Sequence, residues 1–265
     1  EAARDAADLL DPHLDELPVS PHPMEPRGVV ASYDGEELTV HCSSQAPHHV
    51  REHLADAFGM AHDRIRVISR DIGGGFGGKE HVYPDEALIC LAAMRTGRPV
   101  AWTEQPGDRV IATLPARQAV HRARLALDGD GRFLAMDVDV LGDLGAHPSN
   151  VGCSTFSVTA TLLPGPYRFE RFAVRVRGVV TTTTPTGSYR GFGQPEATLT
   201  RERLIDEAAR RLGIDPIELR LRNMYRPEEL PCTTRVYQAY DSGDYPRALR
   251  TLKDMVRPIS KDDGR

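Results

Sequence analysis

Residues 73–80 read GGGFGGKE, and this glycine-rich stretch decides how the rest of the chain is interpreted. Five of its eight residues are glycine, and Lys79 is one of only three lysines in the sequence. The alternating segment before it, RIRVIS (64–69), predicts a strand, and Pro84 after it predicts the start of a helix. The stretch is therefore a strand-to-helix turn with almost no side chains.

Three interpretations of this turn remain open. Bare amides between a strand and a helix can converge on a phosphate, but the spacing matches neither common nucleotide motif, and Glu80 stands where a phosphate loop has Ser or Thr. The second is a tight turn packed under other backbone. The third is a loop that brings peptide groups close to a large planar ligand, with Phe76 against that ligand and Glu80 at its edge.

A second stretch, GSYRGFGQPE (187–196), repeats the Gly-Phe-Gly pattern directly before another predicted helix. A phenyl ring between glycines can stack on a flat heteroaromatic group, although Phe192 could equally be a core residue. Arg190 could bind phosphate or carboxylate through its forked donors, or form a surface salt bridge instead. We expect the two Gly-Phe-Gly turns to be neighbouring loops that face one ligand.

The remaining pattern mixes strands, hairpins and helices, so the sequence predicts an α+β fold rather than a doubly wound parallel sheet. The predicted elements are a short helix over 3–10, strands over 28–34, 37–43, 64–69, 99–105 and 172–180, helices over 47–58, 84–97 and 194–212, a β-hairpin over 121–143 and a short helix after Asp215. No repeat or clear linker occurs, and we expect a single domain over 1–265.

Composition excludes several classes of protein. The 265 residues carry a formal charge of −5, which argues against nucleic acid as the main partner. No apolar run approaches the roughly 20 residues of a membrane span, and no signal peptide opens the sequence. The four cysteines lie far apart without a CxxC pair, so neither a zinc site nor an iron–sulfur cluster is encoded, and free thiols in the cytoplasm are expected.

Five motifs together resemble the molybdenum-cofactor subunit of the xanthine dehydrogenase, aldehyde oxidase and carbon monoxide dehydrogenase family. In chain order they are PMEPRGVVA (23–31), DIGGGFGGKE (71–80), SYRGFGQPEA (188–197), DPIELRLRN (215–223) and YDSGDYPRAL (240–249). The resemblance implies an α+β domain that is the first half of a molybdopterin-binding region. It also implies an oxidoreductase that hydroxylates an aromatic heterocycle or aldehyde with oxygen from water.

The resemblance further implies a role for each residue of the two glycine-rich stretches. Residues expected to bind the molybdenum–pterin cofactor, as molybdopterin or its cytosine dinucleotide form, are Gly75, Phe76, Gly77, Arg190 and Gly191, with no protein ligand to the metal. Phe192 is expected to stack on the substrate, and Glu80 to orient it and to be the catalytic candidate. Gly191 occupies the position of the cysteine in carbon monoxide dehydrogenases, so copper–molybdenum chemistry is not expected.

Partners follow from the same resemblance: a chain with the second molybdopterin-binding half, an iron–sulfur subunit, an FAD subunit and a small-molecule substrate. The family glutamine near the metal is missing, because Leu17, Pro18 and Val19 stand in that region. The Gly-x-Gly-Glu segment with the catalytic base and the hammerhead domain are also missing, so about one third of a usual subunit is matched. We expect His81, after the glycine stretch, to be exposed rather than to replace that base.

Three explanations for this coverage stay open: one chain of a split enzyme, a fragment of a longer product, or a freestanding module. A freestanding module without cofactor would be a small-molecule binder, a scaffold or an enzyme of different mechanism. On the first two explanations the chain alone is an incomplete enzyme.

Overall fold

Two β-sheets with separate hydrophobic cores organise the chain in a computed structural model that describes residues 8–10, 13–149 and 151–256. The strands are β1 Asp8–Leu10, β2 His13–Glu16, β3 Gly28–Tyr33, β4 Leu38–Cys42, β5 Ile65–Ile68, β6 Val100–Thr103, β7 Ala119–Leu127, β8 Phe133–Gly145, β9 Arg171–Val180, β10 Cys232–Thr233 and β11 Ala239–Tyr240. The α-helices are α1 Pro47–Phe58, α2 Pro84–Thr96, α3 Pro106–Ala112, α4 Gly152–Leu162, α5 Gln194–Leu212, α6 Pro216–Asn223 and α7 Tyr245–Met255. Mixed sheets with packed helices confirm the α+β class.

The smaller sheet has the strand order β5-β4-β3-β6, in which only β4 and β5 run parallel. Strands β3 and β4 form the predicted hairpin. Alternate residues of these strands, such as Val29, Ala31 and Val40, point into the core that α1 and α2 complete. Both helices begin at a proline and end before a glycine in left-handed conformation, so the sequence predicted their bounds closely.

Within the described residues, the larger sheet has the order β1-β7-β8-β9, with β2 also paired to β7, and β8 and β9 form its parallel pair. Strands β7 and β8 form the predicted hairpin around the DGDG turn at 128–131. Helices α4 and α5 cover its inner face, where α5 buries Leu204, Ile205, Ala208 and Ala209. These residues form the apolar stripe that the sequence predicted.

The predicted helix over 3–10 is wrong where it can be compared, because Asp8–Leu10 forms β1 and pairs with Leu125–Leu127 of β7. Backbone pairing with a neighbouring strand overrides a weak helical pattern in so short a segment. Residues 3–7 of that prediction lie outside the described part of the chain. Helices α3, α4 and α7 were not predicted; α4 contains five Ser and Thr residues, which weaken the helical signal.

The two glycine-rich stretches lie where the two sheets meet. Residues 73–80 follow β5 of the smaller sheet and precede α2, whereas residues 187–193 connect β9 of the larger sheet to α5. Each stretch is thus fixed by a different hydrophobic core. Across the described ranges, none of the helices combines the length and the apolar character needed to cross a membrane.

Candidate functional site

The two Gly-Phe-Gly turns are hydrogen-bonded to each other, and we call residues 73–80 and 187–193 the paired loops. The Arg190 amide donates to the Phe76 carbonyl at 2.9 Å, and the Ser188 hydroxyl donates to the Gly77 carbonyl at 3.0 Å. The prediction that these stretches are neighbouring loops is confirmed. Turns that are 111 residues apart in sequence therefore form one surface feature.

Both phenylalanines of the paired loops adopt a left-handed backbone conformation, with φ of 52° at Phe76 and 42° at Phe192. This region is uncommon for residues other than glycine, asparagine and aspartate, and it persists only where surrounding contacts enforce it. Phe76 is 41% exposed, whereas Phe192 is partly buried. The Arg190 guanidinium carbon lies 5.8 Å from the centroid of the Phe76 ring, within cation–π range.

The paired loops keep hydrogen-bond donors available for a ligand. Among the described residues, the amides of Gly75, Phe76 and Gly191 donate to no carbonyl or side chain. The Arg190 side chain is exposed, and no carboxylate in the described ranges forms a salt bridge with it. This arrangement suits a large ligand with phosphate or amide-like acceptors, because such acceptors can form hydrogen bonds with donors that have no partner in the protein.

Gln45 is hydrogen-bonded to the first loop. It was not predicted as a site residue. Its Oε1 accepts hydrogen bonds from the amides of Gly77 at 3.0 Å and Lys79 at 3.3 Å, and its own amide donates to the Lys79 carbonyl at 2.8 Å. A Cβ atom on Gly75 would overlap the Gln45 side chain, so a larger residue there would displace Gln45 from its hydrogen bonds to the loop. The sequence around Gln45 has no local pattern that predicts a contact with Gly77, which lies 32 residues further along the chain.

Lys79 is also structural, since its side chain is only 1% exposed. Its ammonium group donates to Glu25 Oε2 at 2.6 Å, and the same oxygen accepts from the Ser43 hydroxyl and the Gly73 amide, both at 2.8 Å. Burial acts to raise the pKa of Glu25, but these hydrogen bonds outweigh it and hold the pKa below its usual value. The PMEP motif thus anchors the first loop through its glutamate.

Glu80 and His81 both hold the second loop through Ser188. Glu80 Oε2 lies 2.7 Å from the same Ser188 hydroxyl and shares its single proton with the Gly77 carbonyl, so the catalytic candidate is tied to the loop pairing. The expectation that His81 is exposed is wrong: it is 2% exposed, and its Nε2 accepts from the Ser188 amide at 2.9 Å. A buried amide requires an acceptor, and the acceptor role of Nε2 leaves the ring proton on Nδ1 when the ring is neutral.

A buried ion cluster fixes the segment that runs beside the first loop. Glu104 accepts hydrogen bonds from the backbone amide and Nε of Arg27 and from Nε and Nη2 of Arg109. Arg109 in turn donates to the carbonyls of Pro23 and Glu25. Burial acts to raise the pKa of Glu104, but the two arginines reverse the effect and keep it below its usual value.

Behind the second loop, Glu16 of β2 faces Glu196 of α5 and Arg117. Burial and the charge of Glu196 raise the pKa of Glu16 to about 8, against the opposing effect of Arg117. In the unfolded chain this pKa is about 4.5, so folding favours the protonated carboxyl.

We expect the Glu16 contribution to stability to be complete below pH 4.5 and to be lost as the pH rises to about 8. Glu16→Gln cannot ionise, so its free energy of unfolding should fall less than that of the wild type between pH 5 and pH 8.5. Urea denaturation at several pH values measures this difference, and Glu36→Gln on the exposed turn is the control. Parallel pH curves for wild type and Glu16→Gln would contradict the assignment.

The chain is similar to one family of known domains and to several curated proteins and solved structures. The family described as "Molybdopterin cofactor-binding domain" matches residues 1–224. The carbon monoxide dehydrogenase large chain of Hydrogenophaga pseudoflava is 37% identical over 247 residues, which are 90% of this chain and 30% of that protein. The nicotine 6-hydroxylase large subunit of Paenarthrobacter nicotinovorans is 34% identical, again over 90% of this chain and 30% of the relative.

Among solved structures, quinoline 2-oxidoreductase from Pseudomonas putida 86 superposes with a TM-score of 0.92 and 35% identity, over 97% of this chain and 33% of that one. A reconstituted carbon monoxide dehydrogenase from Oligotropha carboxidovorans gives a TM-score of 0.88 and 33% identity. The chain therefore spans about 30% of the length of the curated relatives that it matches.

Proposed function

Because this chain belongs to the molybdopterin cofactor-binding domain family, we propose that it provides the first half of the cofactor site of a molybdenum hydroxylase. The observation that carries the proposal is the pairing of the two glycine turns, which leaves three amides and the Arg190 guanidinium without hydrogen-bond partners among the described residues. The residues fit such a group, since a pterin offers amide-like acceptors and its phosphate an anion. Molybdopterin or its cytosine dinucleotide form is the cofactor we propose.

In this site each residue has a distinct role. Gly75, Phe76 and Gly191 would donate backbone hydrogen bonds to the cofactor, and Arg190 would pair with an anionic oxygen. The cofactor, when bound, supplies the two-electron oxidation of the substrate, with water as the source of oxygen. Gly77 was also expected to bind the cofactor, but its amide donates to Gln45 and its carbonyl accepts from Ser188, so we propose that it supports the site by keeping the loops in contact.

We propose an aromatic heterocycle or an aldehyde as substrate. Two relatives are named for nicotine and quinoline, and the rim of the paired loops carries two aromatic rings. Phe192 would stack on the substrate, and Glu80 would orient it from the position that Ser188 fixes. Gly191 offers no thiol at the loop, which favours a hydroxylase pocket over a copper–molybdenum site.

The remaining half of the site would come from the second molybdopterin-binding half, with iron–sulfur and FAD subunits that accept the electrons. Relatives named as large chains or subunits support such an assembly. We propose a cytoplasmic location, because all four cysteines are free thiols. Without its partners we propose that the chain is not a complete enzyme.

The test is the molybdenum content of the assembled protein with Arg190→Ala, compared with Arg66→Ala on the exposed face of β5. Loss of one charge-assisted hydrogen bond should lower cofactor affinity by roughly tenfold to a hundredfold. We expect Arg190→Ala to lose molybdenum on dilution and gel filtration, while Arg66→Ala retains the wild-type content, as elemental analysis would measure. A metal-free wild-type protein that binds ligand or turns over substrate would instead support a cofactor-free module of different mechanism.

A further inference from the structure

Arg117 contacts the second of the paired loops from a rigid position. It lies between the mutual backbone bonds of Val19 with Ala116 and the start of β7, and it adopts a left-handed conformation with φ of 70°. Its Nη2 donates to the Arg190 carbonyl at 2.6 Å, and its guanidinium carbon lies 4.6 Å from the centroid of the Tyr189 ring. Arg117 is therefore restrained at its backbone by the neighbouring strand pairing and at its guanidinium by Arg190 and Tyr189. We call it a tether because it holds the second loop in a fixed position.

This contact completes the restraint of the Arg190 peptide group. The amide of Arg190 donates to the Phe76 carbonyl, and the Arg190 carbonyl accepts from Arg117. Both backbone polar atoms of Arg190 are therefore hydrogen-bonded within the protein. The Arg190 side chain, in contrast, is exposed and has no carboxylate partner among the described residues. The backbone of the residue is thus fixed, while its guanidinium stays available.

Two acidic residues, Glu16 and Glu196, interact electrostatically with the Arg117 guanidinium. Glu196, 2% exposed in the first turn of α5, approaches Arg117 Nε at 3.7 Å. Both carboxyl oxygens of Glu16, Oε2 of Glu196 and Nε of Arg117 are buried without a hydrogen-bond partner in the described part of the chain. His121 lies on the same inner face of β7, and its Nδ1 is hydrogen-bonded to the Thr200 hydroxyl at 2.6 Å. Burial lowers the pKa of His121 to about 4, so this residue adds no charge at neutral pH.

We propose that Arg117 is a positioning residue for Arg190 and that Glu196 anchors its guanidinium. The Arg117 guanidinium then faces the Glu196 carboxylate, a pair that is neutral in sum and compatible with burial. The part of the inference that concerns the cofactor rests on the proposed function, whereas the restraint of the loop does not.

Hydrogen–deuterium exchange of the full-length, cofactor-free protein tests the restraint. In Arg117→Gln we expect the amides of Arg190 and Phe192 to exchange about tenfold faster, as the loss of one charge-assisted hydrogen bond implies. Arg117→Lys should recover part of the protection, and Arg122→Gln, on the outer face of β7, should match the wild type. Unchanged exchange at residues 188–193 in Arg117→Gln would overturn the proposal.

A second variant covers the case in which Arg117→Gln fails to fold. Glu196→Gln keeps the shape of the side chain and removes the anchoring charge, so it should raise the same exchange rates by a smaller factor. Wild-type exchange rates at residues 188–193 in Glu196→Gln would count against the anchoring of Arg117 by Glu196.

Molybdenum retention then separates the two claims. In the assembled protein, Arg117→Gln should lower retention, and adding it to Arg190→Ala should cause no further loss, since both act through one contact. If Arg190→Ala alone leaves molybdenum bound while exchange still rises in Arg117→Gln, the proposed function fails and the loop restraint stands. If Arg190→Ala loses molybdenum but Arg117→Gln does not, the positioning role towards the cofactor is overturned.

Discussion

Gly77→Ala should separate the paired loops and abolish cofactor retention. Gly77 has φ of 96°, and a Cβ atom there would lie 2.5 Å from the Ser188 carbonyl oxygen, which is backbone and cannot rotate away. The substitution combines left-handed strain with a steric clash, so we expect it to lower the free energy of unfolding by roughly 2–4 kcal/mol. Urea denaturation and molybdenum content measure the two effects.

Gly35 provides a matched control for this substitution. Its φ of 101° is almost the same, but a Cβ atom at Gly35 would meet nothing within 4 Å. Gly35→Ala should therefore carry the strain alone, about 1–2 kcal/mol, and leave cofactor content unchanged. Equal molybdenum retention in Gly77→Ala and Gly35→Ala would show that the contact between the loops is dispensable.

Glu104→Ala should cause the largest loss of stability among the charged residues described. The side chain is fully buried and holds Arg27 and Arg109, whose guanidinium groups would remain buried without it. Breaking a buried pair by removing one partner typically costs about 3–5 kcal/mol. Because Arg109 also holds the carbonyls of Pro23 and Glu25, the segment beside the first loop should loosen as well.

The control for Glu104→Ala is Glu207→Ala on the exposed face of α5, where the carboxylate pairs with Arg210 and Arg211. Such surface pairs contribute little, so urea denaturation should detect almost no change. The folded pKa of Glu104 lies below its usual value, so its stabilisation is present above the unfolded pKa and lost as the pH falls. If the free energy of unfolding of Glu104→Ala fell with decreasing pH as steeply as that of the wild type, this assignment would be refuted.

Local chemistry made much of the fold predictable. The bounds of α1 and α2 follow from proline at the first helical turn and glycine after the last, which act through the backbone of a few adjacent residues. The hairpin of β7 and β8 follows from strict alternation around a DGDG turn. The pairing of the two loops was also predictable, because the same tripeptide occurs before two helices.

What the sequence could not provide is the set of contacts that hold these loops. Gln45, Ser188 and Arg117 act on residues from 32 to 111 positions away, and no local pattern encodes such a distance. The buried His81 was missed for the same reason, since its burial depends on the Ser188 amide. Strand β1 was missed because its conformation is set by β7.

A site lined mainly by peptide groups has a consequence for how such a protein diverges. Main-chain donors are the same in every residue except proline, so substitution at Gly75 or Gly191 cannot retune their chemistry and can only obstruct it. Side chains at the rim, such as Phe76 and Phe192, can change without altering those donors. On the proposed function, substitutions of these two phenylalanines would therefore change which substrate fits, whereas the backbone donors of the loops would stay the same.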